Sequence, residues 1–422
     1  MKTLIKNAQV YLKGEIKPME ILIEGGFILE VAPKIDCTEA ETLDASGLHV
    51  FPGFVDLHCH LRDPGQTYKE DIITGTKAAA KGGFTSVCTM PNTEPVVDNI
   101  ATVEYIQRRA KDLGFCRVYV IGAMTKKLEG LELSEMATMK DGGIIAVSDD
   151  GNCVQNARLM QSCMKYASNF HLPVIIHPED YNLAGKGQIH AGKVASQLGL
   201  SGIPALAEEI IIARDIMLAH STKTRLHVAH ISTARSIELV RLAKKEGLDI
   251  SCEVTPHHLT MTEDACLTFD TSAKMKPPLR PEKDRHALVK ALRDGHINCV
   301  ATDHAPHADF EKEREFDHAP FGVIGFETAF PVLYDQLVQK SELTLERLVE
   351  VMSTAPAKLL NLPDNEIAKG NPADLVLVDL QAQSNFSAEN IASKSKNSPW
   401  LGKTLRSRIV KTICGGRVTW EA

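Results

Sequence analysis

The sequence has no CxxC pair, no glycine-rich phosphate loop, no block of basic residues and no apolar run long enough to cross a membrane. A spanning helix needs about 20 consecutive apolar residues, so no membrane role is expected. Without GxGxxG or a P-loop there is no dinucleotide or phosphate-cradle signature, which counts against a doubly wound nucleotide-binding sheet. The formal net charge of −7 gives no reason to expect a nucleic-acid partner. Residues 1–10 contain no signal-peptide hydrophobic region. No internal repeat, low-complexity tract or long linker interrupts the chain. These absences point to a cytoplasmic globular protein. Apolar residues at 44% and charged residues at 24% are ordinary values for one, and 422 residues can bury a large core.

The ten cysteines are scattered. In such a chain they read as reduced, mostly buried thiols rather than disulfides or metal ligands. Cys59 lies between two histidines, but on a strand it points away from both and is expected to pack behind them.

From about residue 50 the sequence alternates between short β-rich runs and longer helical patterns. The runs cover 50–57, 85–90, 117–121, 143–148, 173–176, 225–229, 249–254 and 298–302. Between them, 72–81, 99–113, 156–169, 205–219, 234–245, 285–292 and 326–339 carry apolar residues at three- and four-residue spacing. Gly82-Gly83, Gly142-Gly143, Gly247 and Gly295 close helices just before the next strand. Eight such units predict an α/β fold with a (β/α)8 TIM barrel over 50–364. The ends read differently. Residues 1–49 and 365–422 hold short strands, expected to pair across the termini into a small β-sandwich-like domain that covers strand edges neither end could cover alone.

In such a barrel the chemistry sits at the carboxyl ends of the strands. The first run ends in His58 and His60, whose i, i+2 spacing aims both rings to one side. The fourth ends in Asp149-Asp150-Gly151, the fifth in His177, the sixth in His230 and the eighth in Asp303. Neutral imidazoles and ionised carboxylates suit Zn²⁺, with Mn²⁺ or Co²⁺ as substitutes. Four His and two Asp exceed what one tetrahedral zinc uses, which suggests two metals sharing a carboxylate and a hydroxide. His257 and His258 follow the seventh run and are expected to line or brace the rim.

The run Pro52-Gly53-Phe54-Val55-Asp56-Leu57-His58-Cys59-His60 resembles the opening metal motif of cyclic amidohydrolases. Arg62-Asp63-Pro64-Gly65 narrows the resemblance to the bacterial dihydroorotases. Met90-Pro91-Asn92-Thr93, Ser148-Asp149-Asp150-Gly151, Ala301-Thr302-Asp303-His304-Ala305-Pro306-His307 and Ala319-Pro320-Phe321-Gly322 extend it over nearly the whole chain. The resemblance implies a zinc enzyme of pyrimidine synthesis that interconverts N-carbamoyl-L-aspartate and L-dihydroorotate. It implies that His58, His60 and Asp303 hold one Zn²⁺, that His177 and His230 hold a second, and that Asp150 and hydroxide bridge them. Many relatives bridge with a carbamylated lysine, and here no lysine stands at that strand end. Asp303 would be the catalytic acid–base. His60, Arg62, Asn92, His307, Phe321, Gly322 and Lys276 would meet the substrate.

Lys276 departs from the pattern, since most bacterial relatives have Asn before the Pro277-Pro278-Leu279-Arg280 run. A lysine brings donors but no acceptor. A homodimer and an association with aspartate carbamoyltransferase are both compatible with the resemblance. A hydantoinase, dihydropyrimidinase or allantoinase is the alternative enzyme, though those substrates lack the carboxylate that Arg62 would bind. An inactive amidohydrolase-like scaffold subunit is the alternative from another class, and such relatives usually lose metal ligands.

Overall fold

The computed structural model describes residues 2–422. The apolar runs form one parallel sheet in chain order. Its strands are Phe54–Cys59, Phe84–Thr89, Arg117–Ala123, Ala146–Ser148, Val174–Ile176, Leu226–Val228, Ile250–Val254 and Cys299–Val300. All but the third are buried along their whole length, as strands covered on both faces must be. The first and eighth strands approach through His60 N–H, which donates to His304 O at 2.9 Å. Lower down, the Asp56 carboxylate stands in for ladder bonds by accepting the Thr302 N–H at 2.9 Å and its hydroxyl. Burial raises the Asp56 carboxyl to about 7.

Helices pack outside the barrel. Ile72–Lys81, Ile100–Leu113, Ala157–Asn169 and Ala234–Lys245 lie within a residue of the expected spans. Asp71 caps the first by accepting Thr74 N–H at 2.9 Å. The span expected as one helix over 326–339 is instead Ala329–Leu333 followed by a wider turn over Tyr334–Val338.

The run 50–57, read as one strand, is two. His49–Pro52 belongs to a separate sheet, and Phe54–Cys59 opens the barrel. The change falls at Gly53, whose N–H donates to Asp374 O at 2.9 Å. A Cβ there would lie 2.2 Å from Thr85 Oγ1, so no other residue fits without displacing that strand.

The separate sheet draws on both ends of the chain. Across it lie Arg417–Glu421, Thr404–Cys414, Leu375–Asn385, His49–Pro52, Lys2–Leu12, Glu15–Glu24 and Phe27–Ala32, with Glu41–Asp44 beside Lys2–Leu12. Ile5, Val10, Ile21, Leu375 and Leu377 form its own core. Aromatic rings join it to the barrel: Phe330 lies 6.0 Å from Phe51 and 5.2 Å from Phe54. Residues 386–403 leave this sheet and run to the rim at the strands' carboxyl ends.

Candidate metal centre

The first barrel strand delivers His58 and His60 on the same side, their ring centres 5.4 Å apart. Cys59 points the other way and donates its thiol to Cys88 O at 3.3 Å, as packing behind the site requires. At the fourth strand the two aspartates divide. Asp149 turns back to accept the N–H groups of Met124 and Thr125 at 2.8 and 3.0 Å, and burial raises it to about 6. Asp150 faces the centre.

Asp150 Oδ1 stands 3.3 Å from His58 Nε2, 3.3 Å from His177 Nδ1 and 3.7 Å from His230 Nε2. Its Oδ2 is 3.5 Å from His60 Nε2. Asp303 Oδ1 is 3.1 Å from His60 Nε2 and 3.5 Å from His58 Nε2. His177 Nδ1 and His230 Nε2 are 2.8 Å apart. Six side chains from five separated segments thus converge, with Asp150 between the His58–His60 pair and the His177–His230 pair.

Could these residues hold metal? Their ligand atoms fall into three overlapping groups: His58 with His60 and Asp150, His58 with His230 and Asp303, and Asp150 with His177 and His230. His58 Nε2 and Asp150 Oδ1 are fully buried yet have no hydrogen-bond partner. Buried lone pairs left without donors are costly, and a cation between them removes the cost. The nitrogen and oxygen donor set suits zinc. Electrostatics agree. Burial opposes charge on Asp150, but His58, His177 and His230 together outweigh it and hold that carboxyl well below the usual range. Burial likewise opposes charge on His58, but Asp150 and Asp303 hold it well above its usual value, the mark of a negative field in which a bound cation would take the proton's place.

Neighbouring groups fix the rings. His58 Nδ1–H donates to Glu253 Oε1 at 2.8 Å, which leaves Nε2 for the centre. Glu253 Oε2 meets His227 Nε2 at 3.1 Å, and His227 Nδ1 meets Ser251 Oγ at 2.7 Å. His60 Nδ1–H donates to Asn92 Oδ1 at 2.8 Å, with the same effect on His60. The sequence reading missed Glu253 and His227. The available signal was a charged residue inside the otherwise uncharged run Ile250–Val254. His257 and His258 are buried on a short helix. His258 holds Thr255 Oγ1 at 2.7 Å and Pro277 O at 3.0 Å, bracing the rim as expected.

Three residues of the site hold positive φ. Arg62, His230 and Asp303 have φ of 59°, 32° and 47°, a region that side chains with a Cβ enter at a cost.

A cavity of about 320 Å³ opens over the centre. It is lined by the candidate ligands His60, Asp150, His177, His230 and Asp303 and by Arg62, Asn92, Lys276, Phe321 and Gly322. Arg62 is buried. Its Nε donates to Pro306 O at 3.2 Å, and no carboxylate pairs with it among the described residues. Burial lowers it to about 10. Asp63 is engaged elsewhere, by Arg109 Nε at 2.7 Å and the Tyr105 hydroxyl at 3.0 Å. Lys276 Nζ pairs with Glu179 at 2.7 Å and sits 5.3 Å from the Phe321 ring centre. His307 is buried just behind the wall. Its Nε2 donates to Phe321 O at 2.8 Å, and its Nδ1 faces Lys69 Nζ at 3.5 Å. Burial, with Arg62, Lys69 and Lys312 nearby, holds His307 well below its usual range.

Residues 47–236 match a family model described as dihydro-orotase-like. The chain is 46% identical over 419 residues to a dihydroorotase of Caldicellulosiruptor saccharolyticus, covering 98% of this chain and 97% of that protein. It is 48% identical over 418 residues to one of Ruminiclostridium cellulolyticum, covering 99% and 98%. Among solved structures, an L-hydantoinase from Arthrobacter aurescens superposes with a TM-score of 0.90 at 26% identity, over 99% of this chain and 96% of that one. A dihydropyrimidinase from Brevibacillus agri, at 24% identity and a TM-score of 0.87, shares the fold. Aligned over nearly its whole length with such relatives, the chain belongs to the dihydroorotase family.

Proposed function

We propose that this protein is a cytoplasmic zinc-dependent dihydroorotase that closes N-carbamoyl-L-aspartate to L-dihydroorotate and reverses the reaction. The observation that carries this choice over a hydantoinase is Arg62. A buried guanidinium with no salt-bridged carboxylate among the described residues, lining the same cavity as three imidazoles and two acids, calls for an anionic substrate.

His58, His60 and Asp303 would hold one zinc, His177 and His230 a second, with Asp150 shared. When bound, zinc supplies Lewis acidity and lowers the pKa of water. The side chains do the rest. Arg62 forks onto the substrate carboxylate, and Asn92, whose Oδ1 is spent on His60, keeps its amide N–H groups for the same anion. For His307 to touch that carboxylate, its Nε2–H must leave Phe321 O; in place it braces the Phe321–Gly322 backbone, which offers polar groups to the ring amide. Lys276, free on one side of Glu179, adds a positive charge at the mouth.

In the hydrolytic direction, water adds to the ring carbonyl carbon. Asp303 takes the water's proton and returns it to the ring nitrogen as the C–N bond breaks. Ring closure runs the same path backwards. Fixing the carboxylate at one end and the reacting amide at the other removes orientational freedom before reaction.

The test is a side-by-side assay of carbamoyl-aspartate, dihydroorotate and hydantoin, with and without a chelator. Turnover of the two acids, lost on chelation and restored by zinc, is expected. Preference for hydantoin, or chelator-insensitive turnover, would overturn the reading.

A further inference from the structure

Residues 386–403 belong by sequence to the terminal sheet, since Asn385 and Thr404 on either side of them are paired strand residues. Yet their middle lies on the barrel rim. Ser393, Ser395 and Asn397 alternate with Lys394 and Lys396; the first three are buried, while Lys394 is exposed. This period of two is that of an extended segment laid flat, one edge down.

The buried edge grips three loops that meet at the substrate side of the cavity. Ser393 Oγ donates to Glu70, and Ser395 Oγ donates to Lys69 O at 2.6 Å, both on the loop that follows Arg62. Asn397 reaches the other two. Its Nδ2 donates to Ala305 O at 3.0 Å and to Gly322 O at 3.1 Å, and its Oδ1 accepts His307 N–H at 3.2 Å. Its backbone carbonyl also accepts Ile324 N–H at 3.0 Å. Two donors and one acceptor on one short side chain is what an amide provides and what Asp or Ala does not. Lys312 Nζ holds the same Gly322 carbonyl at 3.0 Å from elsewhere. The gap being held is narrow: a Cβ on Gly322 would lie 2.8 Å from Ala305 Cβ and 3.1 Å from His307 Nε2.

We infer that residues 392–398 are a strap that sets the spacing of the substrate-binding loops, with Asn397 as the positioning residue. The inference rests on reading Arg62 and His307 as the acid side of a dihydroorotase site. Asn397 touches neither the metal ligands nor the cavity, so its effect falls on substrate affinity and not on the chemical step.

The experiment compares wild type with Asn397→Ala and Asn397→Asp. Steady-state kinetics, metal content and hydrogen exchange are measured on the full-length, metal-loaded protein. Loss of these bonds is expected to raise KM for carbamoyl-aspartate about tenfold, with kcat changed by less than about threefold. Bound metal stays constant, and exchange quickens in peptides covering 305–307 and 320–324 but not in the terminal sheet. Ser395→Ala gives a smaller rise in KM and decides the matter if the Asn397 variants do not fold. Unchanged KM and exchange in folded variants overturn the strap, as does a loss of kcat in step with lost metal. If the wild-type protein does not turn over carbamoyl-aspartate, the functional reading fails, and exchange in the two loops alone then decides the strap, quicker exchange supporting it and unchanged exchange overturning it.

Discussion

The proposed selection among substrates rests on one residue, Arg62. Its positive charge is buried without a salt-bridged carboxylate among the described residues, and Arg62→Met keeps the stem while removing the fork. KM for the acidic substrate should rise roughly a hundredfold, in the range of a lost charge-assisted pair, while an uncharged cyclic imide should lose little; equal losses would deny the carboxylate role. Glu253 acts on the other side of the cavity. Burial opposes its charge, but bonds from His227 and His58 hold it down at about 2. Glu253→Gln should weaken metal binding about tenfold or more in a chelator competition; unchanged affinity would mean that the strand alone orients His58. Lys312 carries a pH signature. Burial lowers it from 10.5 to about 7. Between those values the unfolded chain keeps a proton the native chain has released, so this group makes stability rise with pH across that window. In denaturant titrations Lys312→Met should lack that slope. At this scale the sequence was legible where side-chain type and strand position coincide, as at His58, His60, Asp150, His177, His230 and Asp303. It was not legible at Glu253, whose partner His227 lies on a neighbouring strand, or at Asn397, which no motif singles out.

Elements were legible where burial imposes a pattern. Eight apolar runs separated by amphipathic stretches announced the barrel, because strands covered on both faces read as unbroken apolar segments. The boundary at Gly53 was invisible because His49–Pro52 and Phe54–Cys59 are equally apolar and lie in different sheets. Only the contact with Thr85 and the bond to Asp374 O show the break. The seam between the first and eighth strands was equally hidden, since a side chain does there what backbone does elsewhere. Asp56→Ala removes three acceptor contacts, from Thr302 N–H, the Thr302 hydroxyl and His58 N–H. It should cost about 3 kcal/mol of unfolding free energy, read by urea denaturation, and free Asp303 from its setting, so that activity falls with stability. A variant as stable as the parent would show that the seam closes by other means. Residues 386–403 escaped notice for a different reason. A run of Ser, Lys and Asn has the composition of a solvent loop, and only its burial betrays a structural task.

The two ends of the chain depend on each other and on the barrel. Arg117 pairs with Asp374, Asn365 Nδ2 donates to Gly53 O at 3.0 Å, and Thr412 Oγ1 donates to Ala80 O at 2.7 Å. Removing residues 365–422 would strip strand His49–Pro52 of Leu375–Asn385 and bare Ile5, Val10 and Ile21. Such a truncation should be recovered as aggregate, whereas the full chain should unfold in one calorimetric transition; a soluble, metal-binding 1–364 fragment would refute that coupling. The paired positions Asn385 and Thr404, which open and close the excursion to the rim, sit side by side on the ladder. A segment with adjoining anchor points can be exchanged as a cassette without reregistering a single strand, so the proposed appetite for acidic rings is open to retuning from a part of the chain that contributes none of the candidate metal ligands.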